Sequence, residues 1–290
     1  MIGGARVSLL LAGLSSICFG TGLITAKFGL RRLNARAGAA ISIPTATLLF
    51  VLAAPFYLDT GGFTVSAALL FALVGLFFPA IVTLLTFTAN DRLGPSVTGT
   101  VSSTAPLFAL LAAAALLGED IHARAIIATC GVVAGVAVLS WKAPAAHPSP
   151  LRAALLFPIA GAILRGFAQA VAKAGLTLWP NPFAASLIGY LVSSTTVIAA
   201  DRATHSLRRP RSKQTIAWFA ATGLLNGAGV LLMYVALSQA PVSLVAPVVA
   251  AYPLVTVLLS ALMLRDEPLG TRVVLGTAVT VIAIMYLVSG

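Results

Sequence analysis

Charge is scarce in this sequence. Only 9% of its 290 residues are charged and 59% are hydrophobic, whereas soluble domains carry roughly a quarter charged residues. With a mean hydropathy of +1.03, an ordinary soluble domain is excluded and an integral membrane protein remains. Acids are the scarcest charge. Asp59, Asp91, Glu119, Asp120, Asp201, Asp266 and Glu267 all fall in breaks or at the ends of apolar runs. No carboxylate is therefore placed mid-membrane to carry a cation or a proton. Cys18 and Cys130 sit singly inside apolar runs, which excludes a disulfide framework and metal-ligand spacing; they read as small buried apolar side chains. His122, His147 and His205 lie in polar breaks and form neither a triad nor a metal set. No cofactor is expected. Basic residues outnumber acids and give a net charge of +11, but they are spread thinly and not interleaved with aromatics. Nucleic acid is thus excluded as a partner, and the cations read as topology signals.

Long apolar runs are what the sequence does have. A membrane-spanning helix needs about 20 apolar residues. Ten runs of that order occur, near 7–29, 37–58, 65–88, 95–117, 122–141, 151–173, 183–201, 215–237, 241–264 and 269–288. Between them stand turn and charge signals such as RRLNAR, LDTGG, NDRLGP, WPNP and RDEPLG. The runs are too long and continuous for barrel strands. An all-α integral membrane protein of ten transmembrane helices is expected, with the lipid bilayer as its solvent. Arg6 before an apolar stretch could mark a signal peptide, but an internal repeat argues for a real first helix.

Residues 20–30, GTGLITAKFGL, align with 166–176, GFAQAVAKAGL, at an offset of 146. Gly20 pairs with Gly166, Lys27 with Lys173, Gly29 with Gly175 and Leu30 with Leu176. Later in each half, Pro95 pairs with Pro241, Pro106 with Pro253 and Glu119 with Glu267, with small gaps. The chain divides into a first five-helix repeat at 1–142, a linker at 143–150 and a second repeat at 151–290. Five is odd, so the second repeat enters the membrane upside down. Inverted repeats place a central cavity between the halves and make two related gates physically plausible.

On the paired G-x6-K-x-G-L motifs and the duplicated P-S…P…(L/M)-(G/R)-(E/D) pattern, the chain resembles the drug/metabolite transporter superfamily in its ten-helix EamA-like branch. The resemblance covers essentially the whole chain. It implies a secondary transporter working by alternating access from a central cavity, often an exporter of amino acids or related metabolites. One departure is LDTGG after the second run, where the family commonly has basic residues. The small multidrug-resistance relatives bind cations and protons on a helix-1 carboxylate, and helix 1 here has none.

Lys and Arg collect in alternate loops. Arg31, Arg32, Arg36, Arg92, Lys142, Arg152, Arg202, Arg208, Arg209, Arg211, Lys213, Arg265 and Arg272 fall on one face, against Arg6 and Arg124 on the other. The positive-inside rule then puts both termini outside, whereas the resemblance implies termini inside; the imbalance is large enough for the charge count to lead. A phosphatase fused to the C-terminus should therefore be active and a fluorescent protein dark. The reverse pattern overturns that orientation. The reading is of a multi-pass protein of the bacterial plasma (inner) membrane. Whether copies associate as homo-oligomers is open.

All but three cations lie in or beside breaks; the three are Lys27, Arg165 and Lys173. In the stretch ILRGFAQAVAKAG, Arg165, Gln169 and Lys173 are four apart and share one helix face. Arg165 is about 14 residues into its run, near mid-depth at 1.5 Å per residue. A cation there costs at least about 2.5–3.5 kcal/mol unless it faces a partner or a wet cavity. It either bonds carbonyls freed by Pro158 or another proline, or supplies positive potential to an anionic or zwitterionic substrate. Its repeat equivalent is Phe19, and that of Gln169 is Leu23, so the stripe exists in one half only, as an asymmetric ligand requires. Lys27 and Lys173 either snorkel to headgroups or mark approaches to the cavity. Asn226 between small residues, Tyr252 before Pro253, and Ser103 in TGTVSST are further candidates for substrate binding; Ser103 could equally bond its own backbone. The expected function is transport of a small anionic or zwitterionic metabolite, such as an amino acid, by export or exchange. A lipid-linked substrate flippase is the second reading. A membrane enzyme is disfavoured, because GEDIHAR lacks its histidine in the other copy, RDEPLG.

Overall fold

The computed structural model describes residues 2–140, 150–204, 212–264 and 271–289. The linker at 143–149, the basic run at 208–211 and Glu267 of the second motif copy lie outside the described residues. Every regular element among the described residues is helical: α1 (Ile2–Leu30), α2 (Ala35–Tyr57), α3 (Val65–Phe77), α4 (Ala80–Ser102), α5 (Ala105–Leu117), α6 (Ala123–Ser140), α7 (Pro150–Leu178), α8 (Pro182–Thr204), α9 (Lys213–Gln239), α10 (Val242–Val249), α11 (Tyr252–Leu259), a π-helical turn (Ser260–Leu264) and α12 (Thr271–Val288). Seven helical segments are long and apolar enough to cross a bilayer, and three shorter apolar helices accompany them.

The breaks do not all take the form that turn chemistry suggests. At NDRLGP, where a loop is expected, two helical stretches meet at a kink within α4. Gly94 takes φ 82 and ψ 167, a conformation open to glycine without steric cost, and the helix resumes at Pro95. The chain is interrupted earlier, at Phe78 and Pro79. A proline at a helix start loses no intrahelical donor, and that also explains two matched breaks. Pro106 opens α5 after a turn at Ser103–Thr104, and Pro253 opens α11 after a turn at Ala250–Ala251.

The two halves copy each other in detail. Helices α1 and α7 are both 29 residues, α2 and α8 both 23, and α6 and α12 both 18. Asn34 caps α2 by accepting from the Ala37 amide at 2.9 Å, and Asn181 caps α8 by accepting from Ala184 at 2.9 Å. The halves are also interlocked. Helix α1 packs on α9, α10 and α11 of the second half, while α7 packs on α3, α4 and α5 of the first. Gly20 lies so close to α11 that a Cβ there would stand 2.6 Å from the Tyr252 carbonyl; at Gly166 it would stand 2.6 Å from the Ala105 carbonyl. Gly29 faces the ring of Phe219 as Gly175 faces that of Phe71. Such reciprocity, in which i meets j′ and j meets i′, is the mark of a two-fold axis.

Burial is distributed as a bilayer demands. Many large apolar side chains point outward, with Leu10 69% and Leu52 64% exposed. The interior holds, beside buried rings such as Phe71 and Phe219, many small and hydroxyl residues, among them Ser15, Thr98, Ser193 and Thr222, which let backbones approach and bond across helices. One apolar core cluster draws on both halves.

Candidate functional site

A cavity lies between the halves, with about 490 Å³ of atom-free space when its opening to solvent is included. Its walls come from α1, the α3–α4 break, α4, α7, α8, α9 and α11. Its centre is set by Arg165. The guanidinium carbon lies 5.5 Å from the Phe19 ring centroid, 5.6 Å from that of Tyr252 and 5.9 Å from that of Phe78. Arg165 and Phe19 are equivalents in the repeat. Two equivalent residues can touch only beside the axis that relates them, so the cation stands at the pseudo-two-fold centre of the molecule.

Ring faces attract the cation but accept none of its N–H bonds in the manner of an oxygen. The Arg165 Nε is buried and has no hydrogen-bond partner in the protein. Among the described residues lining the cavity, Arg165 carries the only charge. A half-buried guanidinium with an unmet donor and no carboxylate beside it among the described lining residues has the chemistry to grip an oxyanion in its planar fork.

Other helices add neutral polar groups. Asn226 comes in from α9 against Gly22 of α1, where a Cβ would stand 2.6 Å from Asn226 Oδ1. Glycine at 22 makes the room for that amide. Tyr252 lies at the start of α11, and Thr83 and Thr86 come from α4. Tyr190 of α8 is buried, lines the cavity, and its hydroxyl has no partner in the protein.

Arg165, Asn226 and Tyr252, named from sequence, all line this cavity. The other candidates are not among its lining residues, and the expected stripe along α7 is split. Gln169 is buried one turn on, its Oε1 unpartnered but outside the cavity wall. Lys173 Nζ donates to the carbonyls of Leu237 at 2.6 Å and Ala240 at 3.0 Å, at the C-terminal end of α9. Lys27 Nζ donates to the Asn90 carbonyl at 3.1 Å, just before the kink of α4. The paired lysines bond helix-end carbonyls at matching places, a use the helix dipole favours. Ser103 donates to the Thr100 carbonyl at 2.6 Å, the self-bonding alternative. Glu119 accepts from Ser243 at 3.1 Å and ties the end of α5 to the start of α10.

Sequence reading missed Tyr190, Phe78, Thr83 and Thr86. Phe78 had a signal, since it is the counterpart of Asn226 at an offset of 148. For Tyr190 the signal was weak: a phenol in an apolar run needs a partner for its hydroxyl.

The model of the EamA-like transporter family matches residues 6–141 and again 152–289. A solved structure described only as "Crystal structure of protein" is similar with a TM-score of 0.76 over 96% of each chain, at 17% identity. At that identity the likeness concerns the fold. No curated protein matches the chain.

Proposed function

The chain belongs to the EamA-like transporter family of membrane transporters, and on that footing we propose that it carries a small anionic or zwitterionic metabolite, such as an amino acid, by alternating access about the Arg165 cavity. On this reading the helices group into ten spans. Helix α3 continues into α4 up to Gly94 as one span, the rest of α4 with α5 as another, and α10 with α11 as a third. The two sets of five are then related by an axis in the membrane plane, as an inverted repeat requires. Export or exchange across a bacterial inner membrane is the direction and place we assign.

The observation that carries this reading is the unpartnered, buried Nε of Arg165 in a cavity wall without a carboxylate. A cation kept at such cost asks for an anion. The test is a thermal-stabilisation screen of the purified protein with amino acids, organic acids, phosphorylated metabolites and lipophilic cations. A ligand at 100 times its Kd adds about 2.7 kcal/mol of stability. Stabilisation by anions or zwitterions is expected; stabilisation by cations alone overturns the proposal.

A further inference from the structure

We infer that the cavity is built for a monoanion carrying a second oxygen, a hydroxy- or oxo-monocarboxylate, and that the Tyr190 hydroxyl is the neutral donor that recognises that second oxygen. The inference rests on the reading of this cavity as the transport site and narrows it.

Charge arithmetic is the first argument. Arg165 brings one positive charge into a wall that is otherwise uncharged among the described residues. In a poorly screened site the bound complex is cheapest when its net charge is zero. A monocarboxylate brings it to zero. A dicarboxylate leaves one negative charge uncompensated. A zwitterionic amino acid leaves the original positive charge and adds an ammonium beside the guanidinium. That ammonium needs acceptors, and among the described residues the wall offers no carboxylate, only neutral oxygens such as those of Thr83, Thr86 and Asn226. The rings of Phe19, Phe78 and Tyr252, which could have faced an ammonium, already face Arg165.

Tyr190 is the second and independent argument. Its side chain is 1% exposed, lines the same cavity, and its hydroxyl has no partner in the protein. Buried hydroxyls are ordinarily satisfied, so an orphan one in a cavity wall is a donor awaiting an acceptor. It is also held in position. The ring packs on Phe50 with centroids 5.3 Å apart, and the Tyr190 carbonyl accepts from the Thr47 hydroxyl of α2 at 3.0 Å. Arg165 and Tyr190 come from different helices, α7 and α8. A ligand that gives its carboxylate to the guanidinium can then give another oxygen to the phenol.

Four probes of similar size separate the cases: 2-hydroxyisovalerate, isovalerate, valine and succinate. Each is titrated by thermal stabilisation and by counterflow in liposomes, on wild type, Tyr190→Phe and Arg165→Gln. In wild type the hydroxy acid should bind about tenfold more tightly than isovalerate, the worth of one well-made hydrogen bond, and also more tightly than valine or succinate. Tyr190→Phe should erase the preference over isovalerate and leave isovalerate itself unchanged. Loss of an unpartnered hydroxyl should leave the ligand-free variant at least as stable as wild type. A merely structural tyrosine would not move the hydroxy-acid to isovalerate ratio. Equal or tighter binding of valine, an unchanged ratio in Tyr190→Phe, or no monocarboxylate binding at millimolar concentration each overturns the inference. If valine binds best and Arg165→Gln abolishes that binding, the transporter reading stands and this narrowing falls. If only cations bind, both fall.

Discussion

Arg165→Gln is expected to abolish transport while the protein still inserts and folds. The guanidinium sits at the centre of the cavity, is the only charge among the described lining residues, and has an Nε with no protein partner. Truncating one partner of a desolvated charge pair costs about 2–5 kcal/mol, or roughly 30- to 4,000-fold in affinity at 1.4 kcal/mol per decade. The fold should not suffer in proportion. The cation bonds no backbone through Nε, and its contacts are ring faces; a neutral amide there relieves a mid-membrane desolvation cost. Arg165→Lys is expected to retain part of the activity, because it keeps the charge and loses the planar fork. Uptake into liposomes alongside gel filtration of the detergent-solubilised variants reads both effects. Normal transport by Arg165→Gln would sink the assignment of this cavity.

Gly20→Leu and Gly166→Leu should each remove most of the folded protein. At both positions a Cβ would stand 2.6 Å from a backbone carbonyl, of Tyr252 in one half and Ala105 in the other. Overpacking usually costs about 1–3 kcal/mol because side chains move aside. Here the obstacle is main chain at the turn that opens α11 or α5, which cannot rotate away, so the cost should lie at or above that range. Against a total stability of about 5–15 kcal/mol for a native protein, that is a large share. Gly13, whose added Cβ meets nothing within 4 Å, is the control: Gly13→Ala should be neutral or slightly stabilising. Monodisperse yield and melting temperature report the outcome. Wild-type behaviour of both leucine variants would mean the two halves do not interlock at these glycines.

The helical class and the duplication were legible because they rest on patterns the chain cannot hide. Apolar runs long enough to span a bilayer are read directly, and the Gly20/Gly166 and Lys27/Lys173 pairs register the two halves. Arg165 was legible for the same reason, as a lone cation deep in an apolar run. The stripe it heads does not line a single cavity, because positions four apart share a face but climb about 6 Å along the helix. By Lys173, roughly 12 Å on, the side chain has reached carbonyls at the end of α9. The break at Gly94 was legible in place but not in form, since Asn, Asp, Gly and Pro mark turns and kinked helices alike. Tyr190 stayed hidden because its importance lies in a missing partner, and a missing partner is a fact of three dimensions.

The interlock has a consequence for how the chain is made. Helix α1 leaves the ribosome before α9, α10 and α11, yet it packs chiefly on them, some 200 residues downstream. At about 5–20 residues per second of synthesis, they arrive roughly 10–40 s later. Until then the face of α1 bearing Ser15 and Gly20 lies against lipid or a chaperone, and the Gly229 carbonyl that will accept from Ser15 does not yet exist. The first half is therefore an assembly intermediate with an open docking face. The cavity of Arg165 closes only when α9 and α11, which supply part of its wall, are threaded into the bilayer.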